Sequence, residues 1–170
     1  MAGGAAPCRV EPLDERHDRS GFGCGVEPLD RFFRQQAGQD MRRRVSTCFV
    51  AVAEGDPSLA GFYTLSASEI LLTSLPPDLA KRLPRYPNVP AILMGRLAVD
   101  LRHRGKGIGE FLLLDAMSRT FRSDIAAFAF IVDAKDEAAA AFYARYGLRT
   151  LDGGGRRLFL PVAEIARLFA

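Results

Sequence analysis

The sequence predicts a mixed α/β fold built on one sheet, and three observations carry that prediction. Short apolar runs of strand character alternate with segments whose apolar residues recur at helical spacing, in the order α, β, β, β, α, β, α, β. The run at residues 125–134, "IAAFAFIVDA", is almost uninterrupted in its apolar character, as expected of a strand covered on both faces. The chain has 170 residues, 48% hydrophobic and 25% charged, which fits one soluble domain with a sizeable core.

The elements follow in order. "EPLDRFFRQQAGQDMRRR" places Leu29, Phe32, Phe33 and Gln36 at helical spacing. Pro28 suits a first turn, and Gly38 is the expected point of interruption. "STCFVAVAE" and "AGFYTLSASEIL" read as strands joined by the turn-like "EGDPS", hence an antiparallel hairpin. "TSLPPDLAKRLPRYPNVP" is too rich in proline for a long regular element, leaving a connection with one helical turn at Asp78 to Arg82. "AILMGRLAVD" is a strand with Gly95 as a bulge or splay point. "EFLLLDAMSRTFRS" is an amphipathic helix, and "DEAAAAFYARYG" is a short helix ended by Gly147. "RRLFLPV" is a last strand, and "VAEIARLFA" closes the chain as a helix.

Composition removes several function classes. No apolar run approaches the roughly 20 residues of a membrane helix, and the N-terminus lacks the plan of a signal peptide. A cytoplasmic protein with no membrane partner is the expectation. Cys8, Cys24 and Cys48 lack metal-like spacing and read as free thiols. With His17 and His103 the only histidines, neither a metal site nor a Ser/His/Asp triad is expected. His17, in a polar stretch, reads as solvated. The net charge is +3, almost all of its basic side arginine, clustered at Arg42, Arg43, Arg44 and at Arg102, His103, Arg104, Lys106.

The second cluster lies in the segment richest in chemical information, Arg102-His103-Arg104-Gly105-Lys106-Gly107-Ile108-Gly109, between an apolar strand and a helix. A helix N-terminus offers unpaired N–H groups and a positive dipole end. Glycines let backbone approach a phosphate closely. A Walker A loop needs serine or threonine after Gly105-Lys106, where Gly107 stands. A dinucleotide fingerprint needs a third glycine where Glu110 stands. The surviving pattern is R-x-x-G-x-G.

That pattern resembles the signature of the GNAT acetyltransferases. "LAVD" before the loop resembles their splayed central strand, and "VDAKDEAAAAFYARYGLR" their later segment, with Leu148 where phenylalanine is usual. "FGCGVEPLDRFFRQQAGQDMRRRVSTCFVAV", "GFYTLSASEI", "YPNVPAILMGRLAVD", "GKGIGEFLLLDAMSR" and "LFLP" are together similar to the acetyltransferase toxins of type II toxin–antitoxin systems, over roughly residues 20–162. The resemblance implies the GNAT fold as one domain spanning residues 1–170: a mixed, mostly antiparallel central sheet with a splayed strand pair, flanked by helices. It implies acetyl transfer from acetyl-CoA, without a metal, to the α-amino group of aminoacyl-tRNA, which blocks translation. It also implies a ribbon-helix-helix antitoxin and a homodimer.

The resemblance assigns roles residue by residue. Tyr143 matches the tyrosine that protonates the coenzyme A thiolate; spacing alone leaves it even between chemistry and packing. Backbone at Leu97, Ala98 and Val99 matches the strand that binds the pantetheine arm. Arg104, Gly105, Lys106, Gly107, Ile108 and Gly109 match the pyrophosphate loop, and Phe142 stands with the cofactor residues, though it also fits packing. For the RNA, Arg42, Arg43 and Arg44 are candidates, with a solvated helix face equally open. Arg96, a charge inside an apolar strand, either pairs structurally or reaches the cleft. Asp133 is a polar strand end or a plain surface carboxylate. Two other readings stay open: acetylation of a small or protein amine, and a non-catalytic protein that docks an antitoxin.

Overall fold

A computed structural model describes residues 8–151 and 155–169. Seven strands form one sheet in the order β1-β2-β3-β4-β5-β7-β6. They are β1 (Cys8–Pro12), β2 (Thr47–Ala53), β3 (Leu59–Leu71), β4 (Asn88–Val99), β5 (Ala129–Asp133), β6 (Arg149–Thr150) and β7 (Arg157–Pro161). The longer helices are α4 (Ile108–Phe121) and α5 (Glu137–Ala144). The fold is the mixed, mostly antiparallel α/β arrangement expected, with β4 and β5 its parallel pair. By contacts the chain divides into two compact units, one of residues to Ser66 plus Gly95–Ala116, the other of Ala67–Met94 plus Met117 onward.

In the first unit, β1 and β2 pair antiparallel from Cys8↔Ala53 to Pro12↔Phe49. The expected hairpin is present: Thr47↔Leu65 to Ala51↔Gly61, with the register shifting at Ala51/Val52. A helical run covers this sheet: α1 (Glu27–Arg31), a π turn (Phe32–Gln36) and α2 (Ala37–Arg42). Its irregularity falls at the π turn rather than at Gly38. Ala37 N–H donates to Phe32 C=O, five residues back, and Gln36 sits at φ −115°. The wide turn lets Phe32, Phe33 and Ala37 all be buried. Phe33 stacks on Phe62 at 4.3 Å between centroids and meets Phe22 edge-on at 4.6 Å. Aromatic packing of this kind, with Cys24, Cys48, Val50 and Ala98 around it, is the core of the unit.

Two tight contacts complete it. A Cβ on Gly61 would lie 2.7 Å from the Ala98 carbonyl and 2.7 Å from Leu112 Cδ1, so only glycine lets β3 approach β4 and α4 this closely. The fully buried Tyr63 donates its hydroxyl to Asp115 Oδ2 on α4 at 2.5 Å.

In the second unit, β4 pairs with β5 from Ala91↔Ala129 to Met94↔Val132, and the registered pairs stop there, one residue before Gly95. Residues 129–132 are all 0% exposed, which fits the apolar run read as buried on both faces. β7 pairs antiparallel with β5 and with the two-residue β6. Ile70, Leu75, Val89, Ala91, Ile131 and Phe159 form the core here. The proline-rich connection holds a 3-10 turn (Leu72–Ser74) and α3 (Pro77–Ala80), which begins one residue and ends two residues before the turn expected at Asp78 to Arg82.

Several expectations need correction. β1 and β6 are strands where none is expected, because both are short and carry charge. The C-terminal segment is not one helix: α6 (Val162–Ile165) passes into a 3-10 turn (Ala166–Phe169). His17 is not solvated. Its side chain is 7% exposed, with Nε2 2.7 Å from Glu11 Oε1 and Nδ1 accepting from Asp14 N–H. No described helix is long and apolar enough to cross a membrane.

Candidate active site

The glycine turn grows out of Asp100. This carboxylate is 1% exposed and accepts from Gly23 N–H, Arg102 N–H, Arg102 Nε and Arg102 Nη2, at 2.8 to 3.1 Å. Burial opposes ionisation, but those donors outweigh it and hold the Asp100 carboxyl below its ordinary range. By capping the 3-10 turn Leu101–His103 it ends β4 and sets the direction in which the chain leaves. His103 does not join the cationic surface: it is buried, with Nε2 3.1 Å from Ser58 Oγ. Arg104 Nη2 donates to Cys24 C=O at 3.1 Å. Gly21–Gly25 is thereby fixed to the start of the turn, since Leu101 N–H also donates to Gly23 C=O.

Beyond Arg104, Gly105 and Gly107 both take φ +76°, left-handed backbone that favours glycine. A Cβ at either would meet nothing within 4 Å, so the glycines answer a conformational demand rather than a crowded interior. Lys106 between them is exposed. Gly107 C=O accepts Phe111 N–H, and Ile108, 2% exposed, anchors the first turn of α4. Gly109 lies against Val99, whose Cγ2 would be 3.6 Å from an added Cβ. Leu97 and Val99 are half-buried and Ala98 is buried, so the alternation of a strand is kept to its last residue.

In the second unit, Asp136 caps α5 by accepting Ala139 N–H at 2.8 Å. Tyr143 is 8% exposed, and burial pushes its phenol up to about 12. Among the described residues its hydroxyl has no hydrogen-bond partner. Phe142 lies edge-on to both Tyr143 and Tyr146, with ring centroids 5.4 Å apart in each case. Gly147 ends the segment at φ +92°, and Leu148, in the place usual for phenylalanine, is buried.

Residues 13–148 match the model of the Acetyltransferase (GNAT) family. The chain belongs to the GNAT acetyltransferase family. It is 30% identical to "Probable toxin TacT" of Sinorhizobium fredii over 97% of each chain. It is 33% identical to the "tRNA-acetylating toxin" of Mycobacterium tuberculosis, over 86% of this chain and 85% of that one. Its fold is similar to that of AtaT complexed with acetyl-methionyl-tRNAfMet, with TM-score 0.88 and 29% identity over 96% of this chain and 100% of that one.

As a GNAT acetyltransferase the chain moves an acetyl group from a thioester to an amine. The first unit brings together Leu97 to Val99 and the turn Arg104 to Gly109. Tyr143 and Phe142 stand in the other unit. Arg42, Arg43 and Arg44 are exposed at the end of α2, with Arg44 at φ +58°. Among the described residues Arg96 has taken neither a carboxylate nor a carbonyl: its Cζ lies 3.6 Å from the Phe32 ring centroid. Asp133 forms a two-pronged surface pair with Arg157, at 2.7 and 2.9 Å. All three cysteines are free, Cys24 and Cys48 buried, and burial pushes the Cys48 thiol up to about 12. No group of metal ligands occurs among the described residues. No role for Gly61, Asp100 or Phe32 is legible in the sequence. Asp100 ends the quoted "LAVD", and its only signal was a carboxylate directly after an apolar strand.

Proposed function

We propose that this GNAT acetyltransferase is the toxin of a type II toxin–antitoxin system. It transfers acetyl from acetyl-CoA to the α-amino group of aminoacyl-tRNA and so blocks translation. The observation that carries this reading is the likeness, along nearly the whole chain, to a toxin named for acetylating tRNA and to AtaT complexed with an acetylated aminoacyl-tRNA. Residues 1–170 act as one catalytic domain, in the cytoplasm, as a homodimer, held inactive by a ribbon-helix-helix antitoxin.

Acetyl-CoA supplies the thioester. Backbone N–H groups of Gly105 to Gly109, with Lys106, hold its pyrophosphate at the start of α4. Arg104 shapes the turn through Cys24 C=O. Backbone at Leu97 to Val99 lies along the pantetheine arm, and Phe142 packs against the cofactor. The acceptor α-amine, with a reference pKa of about 7.7–8.0, is partly neutral near pH 7 and needs no strong base. Its lone pair forms the N–C bond, the C–S bond breaks through the tetrahedral oxyanion, and the thiolate takes the Tyr143 proton. The amine's surplus proton passes to water, from which the phenolate recovers its own. A phenol whose pKa is raised to about 12 is fully protonated when the thiolate leaves. Arg42, Arg43 and Arg44, with Arg96, supply positive charge for the RNA.

The test is acetyl transfer from radiolabelled acetyl-CoA to charged tRNA, set against polyamines and peptides. Label on the α-amine of aminoacyl-tRNA is the expected result. Label confined to small amines or peptides overturns the proposal.

A further inference from the structure

Arg96 stands on β4 one residue before Leu97, on the same strand face as Ala98. Ala98 and Phe32 belong to one core cluster, beneath the helical run. A charge at the edge of such a core needs a partner. The partner is a ring: Arg96 Cζ is 3.6 Å from the Phe32 centroid, and among the described residues no carboxylate or carbonyl engages the guanidinium. At that separation an edge-on guanidinium would drive its hydrogens into the ring, so the group lies face-down on it. Its N–H donors then point sideways in their own plane, the geometry that grips a phosphate two-pronged.

Neighbouring arginines are committed otherwise. Arg19 donates to Phe33 C=O at 2.8 Å and Arg34 to Phe22 C=O at 2.5 Å. The strand's alternation also separates Arg96 from the glycine turn: Val99, on the opposite face, is the residue that meets Gly109. Arg96 therefore serves a ligand other than the one held by the turn. Phe32 reaches it from the π turn, where the five-residue hydrogen bond to Ala37 lets Phe32 and Phe33 both face inward.

We propose that Phe32 is a positioning residue that holds Arg96 flat, so that the edge of the guanidinium grips a phosphate near the 3′ end of the acceptor tRNA. This rests on the function proposed above and adds the group that seats the acceptor.

The experiment measures binding of a short RNA duplex with a single-stranded CCA end, by fluorescence anisotropy over a range of salt, beside acetyl-transfer kinetics on charged tRNA. Arg96→Gln is expected to raise the Kd about tenfold and to lower the salt slope by roughly 0.7–0.9, one phosphate contact, with acetyl-CoA affinity unchanged. Arg96→Lys keeps the salt slope but weakens binding several-fold, because a point charge lacks the planar fork. Phe32→Leu approaches Arg96→Gln in RNA affinity, and the double variant is no weaker than Arg96→Gln alone. Phe32→Tyr restores binding, and it carries the test with Arg96→Lys if Phe32→Leu does not fold.

Unchanged Kd and salt slope in Arg96→Gln overturn the proposal, as does a loss confined to acetyl-CoA affinity. Full additivity of the two substitutions overturns the part played by Phe32. The two readings fail separately. A wild type that acetylates charged tRNA with an indifferent Arg96 sinks only this inference. A wild type that binds the RNA through Arg96 but acetylates other amines sinks only the function. A wild type that neither binds the RNA nor acetylates charged tRNA sinks both.

Discussion

The turn at Arg104 to Gly109 and the helix α5 are built on opposite principles. The turn works through backbone: two glycines at φ +76° with open space around them, one exposed lysine, and an arginine already bonded to a carbonyl. Helix α5 works through one side chain, the phenol of Tyr143, with burial as its tuning device. The difference teaches where each can be broken. A side chain added at Gly105 or Gly107 disturbs binding and fold together, whereas one oxygen removed from α5 touches the chemistry alone.

The largest effect expected follows from the second half of that contrast. Tyr143→Phe should lower kcat by about 10²- to 10⁴-fold, the usual contribution of a positioned acid, while acetyl-CoA affinity stays within twofold, about the error of the measurement. Steady-state kinetics with calorimetric titration of acetyl-CoA check it. Near-wild-type turnover would return Tyr143 to packing. The same variant reads the pKa. A phenol raised from about 10 to about 12 binds its proton more tightly in the folded state. Its contribution is complete below pH 10 and is lost as pH rises toward 12, so wild-type Tm should fall across that window more steeply than that of Tyr143→Phe.

Asp100 marks where the turn depends on side chains after all. Asp100→Asn presents an amide to donors from Gly23 and Arg102, in a site 1% exposed. A loss of about 2–4 kcal/mol is expected, read as a lower Tm and weaker acetyl-CoA binding together. The carboxyl is held below its ordinary range, so its contribution is complete above the unfolded value near 3.9. It fades only as pH falls through the lowered value, and the Asn variant should lack that acid limb. An unchanged Tm would mean that the turn holds itself.

The glycines sharpen the contrast by separating fold from ligand. Gly107→Ala forces alanine to φ +76° and should cost about 1–2 kcal/mol of stability as well as cofactor affinity. Gly109→Ala meets only Val99 at an ordinary 3.6 Å, inside a helix where alanine is favoured by about 1 kcal/mol. It should fold at least as well as wild type, yet bind acetyl-CoA more weakly, because the new methyl occupies space the ligand needs. Equal affinity in Gly109→Ala would place the pyrophosphate elsewhere.

Legibility in the sequence divides along the same line. The turn was readable because its glycines stand at fixed spacing between a strand and a helix. Tyr143 could be singled out only by resemblance, since periodicity does not distinguish a buried phenol that packs from one that reacts. Strands β2 to β5 and β7 were visible through apolar periodicity. Strands β1 and β6 were not, being short and partly charged. The π turn left no local signal, for "DRFFRQQAG" satisfies an α pattern as well, and only the packing of Phe33 on Phe62 decides between them. Gly61 and His103 were equally opaque, because each answers to a partner distant in sequence: the Ala98 carbonyl for one and Ser58 for the other.

The end of α2 makes the same backbone demand as the turn and meets it differently. Arg44 stands at φ +58°, where Val45 N–H returns to Asp40 C=O and closes the helix. A non-glycine residue there carries a conformational cost of about 1 kcal/mol. Arg44→Gly should therefore raise stability by roughly 0.5–1 kcal/mol, or about 1–4 °C in Tm for a chain of this size. If Arg44 also meets the RNA, the same substitution should raise the apparent KM for charged tRNA and reduce its salt dependence, leaving kcat unchanged. A more stable protein with unaltered tRNA kinetics would assign the arginine to a solvated helix end and leave the RNA to Arg96 and the remaining basic residues.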